Sequence, residues 1–70
     1  MVMFVIRRSS SMYSPLVFSE KHLEHGDMAE TIYGITNSWE KGIEAESWCE
    51  LASIGEVYED EDFTITVVEE

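Results

Sequence analysis

The chain has 70 residues, of which fifteen are Asp or Glu and four are Lys or Arg, so its formal net charge at pH 7 is −11. Apolar residues make up 44% of the chain and aromatic residues 11%. This aromatic content excludes a disordered acidic tail, and the presence of only one cysteine excludes an intrachain disulfide scaffold. We therefore expect one folded domain, residues 1–70, in the cytoplasm.

The negative charge also restricts the partners. An encounter with DNA, RNA or an anionic membrane begins with repulsion, so we expect neither direct nucleic-acid binding nor membrane binding. Residues 1–39 contain four acidic and three basic residues (net −1), whereas residues 40–70 contain eleven acidic residues and one lysine (net −10). The C-terminal half therefore carries the excess charge, and a charged partner is expected to present a basic surface.

The N-terminal third predicts strands. The apolar run Val2–Ile6 is rich in β-branched residues and is typical of a buried strand. It is too short for a signal peptide or a membrane span. A short second strand is predicted at 16–18, and the polar segment 22–26, which ends in a glycine, is predicted to be a connection.

A helix is predicted at about 28–41. Asp27 and Glu30 have the spacing of a capping box, and Gly42 stands where a helix commonly ends. The apolar residues spaced four, three and four apart, which form one helical stripe, are Met28, Ile32, Ile35 and Trp39.

Residues 43–54 have two interpretations. Apolar residues alternate with glutamates, which favours a half-buried strand. The alternative is a helix at 44–54 capped by Gly55, because Ala45, Trp48, Cys49 and Ala52 also share one helical face. The strand is favoured, since a second helix leaves few strands to form a sheet.

The last segment, 62–68, alternates Phe63, Ile65 and Val67 with threonines, as in a strand with one buried face. The fold class is therefore predicted to be α+β, a small β-α-β-β sandwich. One helix, at about 28–41, is packed on a mainly antiparallel sheet.

The densest acidic segment is 56–62. In an extended conformation it rises about 3.3 Å per residue, close to the spacing of about 3.4 Å between phosphates along a DNA strand. A solvated loop that aids solubility is the alternative interpretation. In the strand interpretation of 43–54, Trp48 lies on the glutamate face as an exposed interface anchor. The predicted partner-binding residues are Glu59, Asp60, Glu61 and Asp62, followed by Glu56, Glu44, Glu46, Glu50 and Trp48.

Catalytic and metal sites have little support. Cys49 lies on an apolar side, where a thiol behaves as a buried hydrophobe, and no phosphate-binding glycine loop is present. The spacing of an EF-hand is missing. His22 and His25 supply two zinc ligands where four are needed. We therefore expect no enzymatic activity, no cofactor and no metal site, with a His22/His25 metal-dependent regulator as a minor alternative.

The short length, the Asp27–Gly42 helix followed by strands, and the acidic run Glu56–Asp62 resemble small inhibitor proteins of bacteriophages and mobile elements, such as anti-CRISPR, anti-restriction and polymerase-inhibitor proteins. This resemblance implies a protein that occupies a basic, nucleic-acid-binding surface of a host protein. The alternative is a structural module that homodimerises through a sheet edge, its acidity serving solubility.

Overall fold

The computed structural model describes residues 1–10, 14–24 and 26–70. Within these ranges the elements confirm an α+β protein but not the predicted β-α-β-β order, because three helices lie between two pairs of strands. The elements are β1 (Val2–Arg8), β2 (Leu16–Ser19), α1 (Glu20–Glu24), α2 (Asp27–Thr36), α3 (Trp39–Leu51), β3 (Val57–Glu59) and β4 (Phe63–Glu69).

The strands form one antiparallel sheet in the order β2-β1-β4-β3. The strands predicted at 2–6, 16–18 and 62–68 are confirmed as β1, β2 and β4. Phe4 pairs with Val67 and Ile6 with Ile65, and because side chains alternate along a strand, all four lie on one face. That face is buried beneath helices α2 and α3.

The predicted helix at 28–41 is interrupted, and its two parts belong to α2 and α3. Asn37 adopts a left-handed conformation (φ 61°), and its N–H donates to the carbonyl of Tyr33 over 2.7 Å. Asn tolerates this conformation better than most residues. The next residue, Ser38, caps α3 by accepting a hydrogen bond from the Lys41 N–H over 3.3 Å. Met28 and Ile32 are in the core as predicted, whereas Trp39 begins the next helix and is exposed.

The strand prediction for residues 43–54 is wrong, since most of this segment is helix α3. The helical alternative is correct in its essentials, because Ala45 and Cys49 are buried and Trp48 packs against the core. Gly42 lies inside α3 and does not end a helix. A Cβ atom at this position would lie 2.6 Å from the carbonyl oxygen of Ala29, so glycine allows the two helices to approach closely.

The segment predicted as a connection at 22–26 is partly helical. Helix α1 contributes Leu23 to the core, and the turn into α2 passes through Gly26, whose φ is 72°. In the described part of the chain, each helix is too short or too polar to span a bilayer.

Both edges of the sheet are short. β2 has four residues and β3 has three, and natural sheets commonly use short edge strands to limit edge-to-edge pairing. The face of the sheet away from the helices is different, because side chains on it such as Arg7, Val17 and Val57 are exposed. We call it the uncovered face.

Candidate partner-binding surface

The acidic run at 56–62 is not extended. It folds into a hairpin in which Asp60, Glu61 and Asp62 form the turn between β3 and β4. The Asp62 N–H donates to the side chain of Asp60 over 3.0 Å, and the Ser9 hydroxyl donates to the carbonyl of Glu61 over 2.8 Å. These bonds hold the turn in a defined shape beside the end of β1.

Lys41 of α3 lies at the centre of this turn. Its Nζ atom is 3.2 Å from a carboxylate oxygen of each of Asp60, Glu61 and Asp62. The hydrogen bond to Asp60, followed by those to Glu61 and Asp62, raises the pKa of Lys41 above its ordinary value. The lysine therefore stays charged, cancels one of the three negative charges, and connects the turn to the N-terminal part of α3.

Glu59 is separated from the other three leading candidates. It lies in β3 next to Tyr58, whose side chain packs on the core. Because side chains alternate along a strand, Glu59 points to the uncovered face of the sheet. The four residues predicted as one contact surface therefore lie on two sides of the molecule.

The outer side of α3 carries the carboxylates that remain available. Glu40, Glu44 and Glu50 are exposed, and no ion pair in the described part of the chain engages them. Burial, and then the charge of Glu44, raises the pKa of Tyr58 in β3. The Lys41 contacts place the N-terminal part of α3 beside the hairpin turn, so the exposed carboxylates of these two elements lie near each other.

Large apolar side chains are interspersed with these glutamates. Trp39 is 51% exposed, Ile43 60% and Leu51 89%. Trp39 and Ile43 are one turn apart on α3, and Leu51 lies two turns further on a neighbouring part of the same side. Trp39 is held in place by stacking on Tyr33, with ring centroids 4.5 Å apart and planes inclined by 12°. The sequence pattern did not identify these three as site residues, although the spacing of Trp39 and Ile43 places both on one side of a helix once 39–51 is taken as helical.

Two predicted partner-binding glutamates have internal roles. The Oε2 atom of Glu46 accepts a hydrogen bond from the Ala29 N–H over 3.2 Å, in the first turn of α2. The N-cap of α2 is Gly26, which has no side chain to cap it, so the cap comes from α3 and not from the predicted Asp27–Glu30 box. Glu56 accepts a hydrogen bond from the Ser53 N–H over 2.6 Å, which closes the turn before β3.

Trp48 is not the exposed anchor that the strand interpretation predicted. It is half-buried, packs against the core, and lies 5.3 Å from the ring of Tyr58, which in turn stacks on Phe63. Trp48 thus connects α3 to the sheet, and Trp39 takes the exposed position.

Cys49 is buried, with its Sγ atom 3.4 Å from the sulfur of Met28. Burial, and to a smaller extent the charge of Glu46, raises the pKa of this thiol to about 12. His22 accepts a hydrogen bond from the Ser19 N–H through Nδ1 over 2.9 Å, and His25 lies outside the described residues. Among the described residues, no three His, Cys, Asp or Glu side chains are grouped to hold a metal ion.

An open recess of about 320 Å³ lies beside the C-terminal part of α3. Its apolar walls include Phe4, Leu23 and Ala52, and the carboxylate residues Glu20 and Glu50 also line it. An apolar wall with nearby carboxylates fits the aliphatic stem and charged end of a lysine or arginine side chain.

No protein-family model matches the chain, and no match is found among curated proteins or among solved structures. Geometry and charge are therefore the basis for assigning this surface a role.

Proposed function

We propose that this chain is a non-enzymatic binding protein that uses the outer side of α3, together with the adjacent hairpin turn, to occupy a basic surface of a partner protein. The observation that carries the proposal is the placement of Trp39, Ile43 and Leu51, all exposed, among Glu40, Glu44 and Glu50 on one helix. A surface that served only solubility would have no need of large exposed apolar side chains.

The apolar residues supply the affinity in this proposal. Exposed Trp and Leu side chains are typical anchors when they enter a pocket of the partner, and stacking on Tyr33 limits the conformations of Trp39 before binding. A pre-ordered anchor loses less conformational entropy on association.

The carboxylates supply steering and selectivity. Residues 40–70 carry a net charge of −10, which favours encounters with basic surfaces and speeds association at low ionic strength. Basic surfaces of this kind commonly bind nucleic acid, so the protein is proposed to compete with nucleic acid for its partner, as the resemblance to phage and mobile-element inhibitors implies. The hairpin turn contributes through Glu61, which remains exposed beside Lys41.

The proposed function gives Cys49 no role as a nucleophile, and the environment of its thiol supports this. The chain has one cysteine, and its burial and raised pKa keep the thiol protonated at neutral pH. A thiol in this state is a poor nucleophile.

The test is a competition assay. A labelled DNA duplex is bound to a purified bacterial RNA polymerase, restriction endonuclease or CRISPR effector, and its fluorescence anisotropy is followed as the protein is added. We expect displacement from at least one of the three, weakening as salt is raised from about 50 to 500 mM. If about 100 µM protein displaces DNA from none of them, a level at which even modest affinity is measurable, the proposal is wrong.

Variants locate the surface. Leu51→Ser is expected to weaken displacement about tenfold or more. Glu40→Gln/Glu44→Gln/Glu50→Gln is expected to reduce both the affinity and its dependence on salt. The matched control, Glu30→Gln/Glu69→Gln/Glu70→Gln, removes the same number of charges elsewhere. Equal effects of the two triple variants would show that net charge, and not the α3 surface, drives displacement.

A further inference from the structure

The uncovered face of the sheet has an aliphatic cluster at its centre. The strand register places Val17, Val5, Thr66 and Val57 in one row that crosses all four strands. In the next row, Met3 lies between Ser19 and Val68. Val17 and Val57, at the two ends of the first row, are 53% and 47% exposed. This face therefore offers a mainly apolar strip that reaches both edges of the sheet and is interrupted by the hydroxyl groups of Ser19 and Thr66.

This face is also nearly free of the charge that dominates the rest of the protein. By strand alternation, its charged side chains stand at the two ends, Arg7 and Glu59 at one and Glu70 at the other, with a net charge of −1. The whole chain carries −11. Two copies can approach each other through this face with less repulsion than through the helical side.

We infer that the uncovered sheet face binds the same face of a second copy of this chain. The arrangement of side chains is self-complementary about a two-fold axis that runs along the strands between β1 and β4. Val17 of each copy then lies over Val57 of the other, and Val5 lies over Thr66. Arg7 and Glu59 both pair with Thr64 of β4 and so lie in one row of the sheet. In the dimer, Arg7 of each copy therefore comes within reach of Glu59 of the other.

The area of the face sets the strength of the pair. Strands about 4.8 Å apart with about 3.3 Å per residue give a flat area of about 350 Å² per copy. With interdigitated side chains, the pair buries about 1,000 Å² in total, at the low end of specific interfaces. We therefore expect a reversible dimer with a dissociation constant on the order of 100 µM.

The remaining charges do not oppose this dimer strongly. With layers about 10 Å apart, the α3 helices of the two copies lie about 30 Å from each other on opposite outer sides. This separation exceeds three Debye lengths at physiological ionic strength. The α3 surface also stays free in the dimer, so the two proposals are independent and fail independently.

Sedimentation velocity of the intact protein tests the inference over a concentration range of about 5 µM to 1 mM, which brackets the expected dissociation constant. We expect a concentration-dependent dimer that strengthens with salt, because salt screens the residual repulsion. This salt dependence is opposite in sign to that expected for binding to a basic partner. A protein that remains monomeric at about 1 mM would overturn the inference and would leave this face to another type of partner.

Charge placement across the interface tests its orientation. Val17→Lys is expected to weaken the dimer about tenfold or more, because the introduced ammonium group would face the apolar side chain of Val57 in the other copy. The double variant Val17→Lys/Val57→Glu places opposite charges across the two-fold axis and is expected to restore most of the affinity. The matched control is Ile43→Lys, a similarly exposed apolar position on α3, which should leave dimerisation unchanged. Circular dichroism and thermal unfolding confirm that each variant is folded.

Two outcomes contradict the face-to-face arrangement even if a dimer forms. The first is a dimer that Ile43→Lys weakens and Val17→Lys does not. The second is protection of the outward amides of β2 and β3 from hydrogen exchange as concentration rises, because that protection is the mark of pairing through a sheet edge.

Discussion

The two sides of helix α3 differ in what they contribute to the protein. The inner side, with Gly42, Ala45 and Cys49, is buried against α2 and the sheet. The outer side, with Ile43 and Leu51, is exposed and lies among carboxylates. In a chain of 70 residues, whose core supplies about 3–5 kcal/mol of net stability, the inner side is expected to determine folding and the outer side recognition.

The most direct test of this division compares the two tryptophans. Trp48→Ala is expected to lower the free energy of unfolding by about 3 kcal/mol, because it removes a large side chain that packs against the core and Tyr58. Trp39→Ala is expected to cost less than about 1 kcal/mol, since that side chain is half exposed. Urea denaturation measures both. Equal losses would mean that the outer side of α3 also supports the fold.

A pair of glycine variants tests the close approach of the helices. Gly42→Ala is expected to lower stability by about 2 kcal/mol, because the new methyl group meets the Ala29 carbonyl and the helices must separate.

The matched control for this variant is Gly34→Ala in α2, where an added Cβ meets nothing within 4 Å. It is expected to raise stability by about 0.5–1 kcal/mol through helix propensity. If both variants stabilise, α2 and α3 adjust to each other more easily than their contact indicates.

Stability at alkaline pH extends the comparison to Cys49. Its folded-state pKa is raised to about 12, whereas the unfolded chain releases the thiol proton near pH 8.5. The contribution of this thiol to the free energy of unfolding is therefore fully present below about pH 8. It falls as pH rises, by up to about 1.4 kcal/mol per pH unit.

Urea denaturation between about pH 8 and 10 measures this loss of unfolding free energy. The variant Cys49→Ala removes the ionisable group. We expect the variant to be less stable at neutral pH and to show a smaller decline with rising pH. Parallel declines in the two proteins would show that the thiol is already accessible in the folded state.

Two glutamates of α3 provide the mildest comparison. Glu46→Ala is expected to cost about 1 kcal/mol, because it removes the side-chain cap of α2. Glu44→Ala, on the exposed side, is expected to change stability by less than about 0.5 kcal/mol. Amide hydrogen exchange in the first turn of α2 provides a local measurement. The exchange rates there should rise in Glu46→Ala and not in Glu44→Ala.

The strands β1 and β4 were predictable because each carries a clear strand pattern, whereas the three apolar residues at 16–18 indicated β2 only weakly. Phe63, Ile65 and Val67 alternate with threonines, and a period of two residues buries them together only in a strand. The run Val2–Ile6 is equally clear. The pattern at 43–54 predicts the wrong element because Ala45 and Cys49 fit both a strand and a helix, and because apolar residues occur on both sides of α3.

The candidate site was predicted only in part, for a related reason. The acidic character of residues 40–70 is a property of composition, and Glu44 and Glu50 are exposed as a binding role requires. Sequence alone does not distinguish a free carboxylate from one that is engaged inside the protein. Lys41 engages the hairpin turn from 19 to 21 residues away along the chain, and Glu46 caps another helix.

Composition and local periodicity were enough to establish the sign and the location of the charge, the α+β class, and the two strands at the centre of the sheet. The helical state of 39–51 instead depends on tertiary packing, since a second helix is needed to cover the face formed by Phe4, Phe63 and Ile65. The same packing selects which tryptophan is exposed and which carboxylates remain available to a partner. Those outcomes rest on contacts between residues distant in the chain, which no local pattern contains.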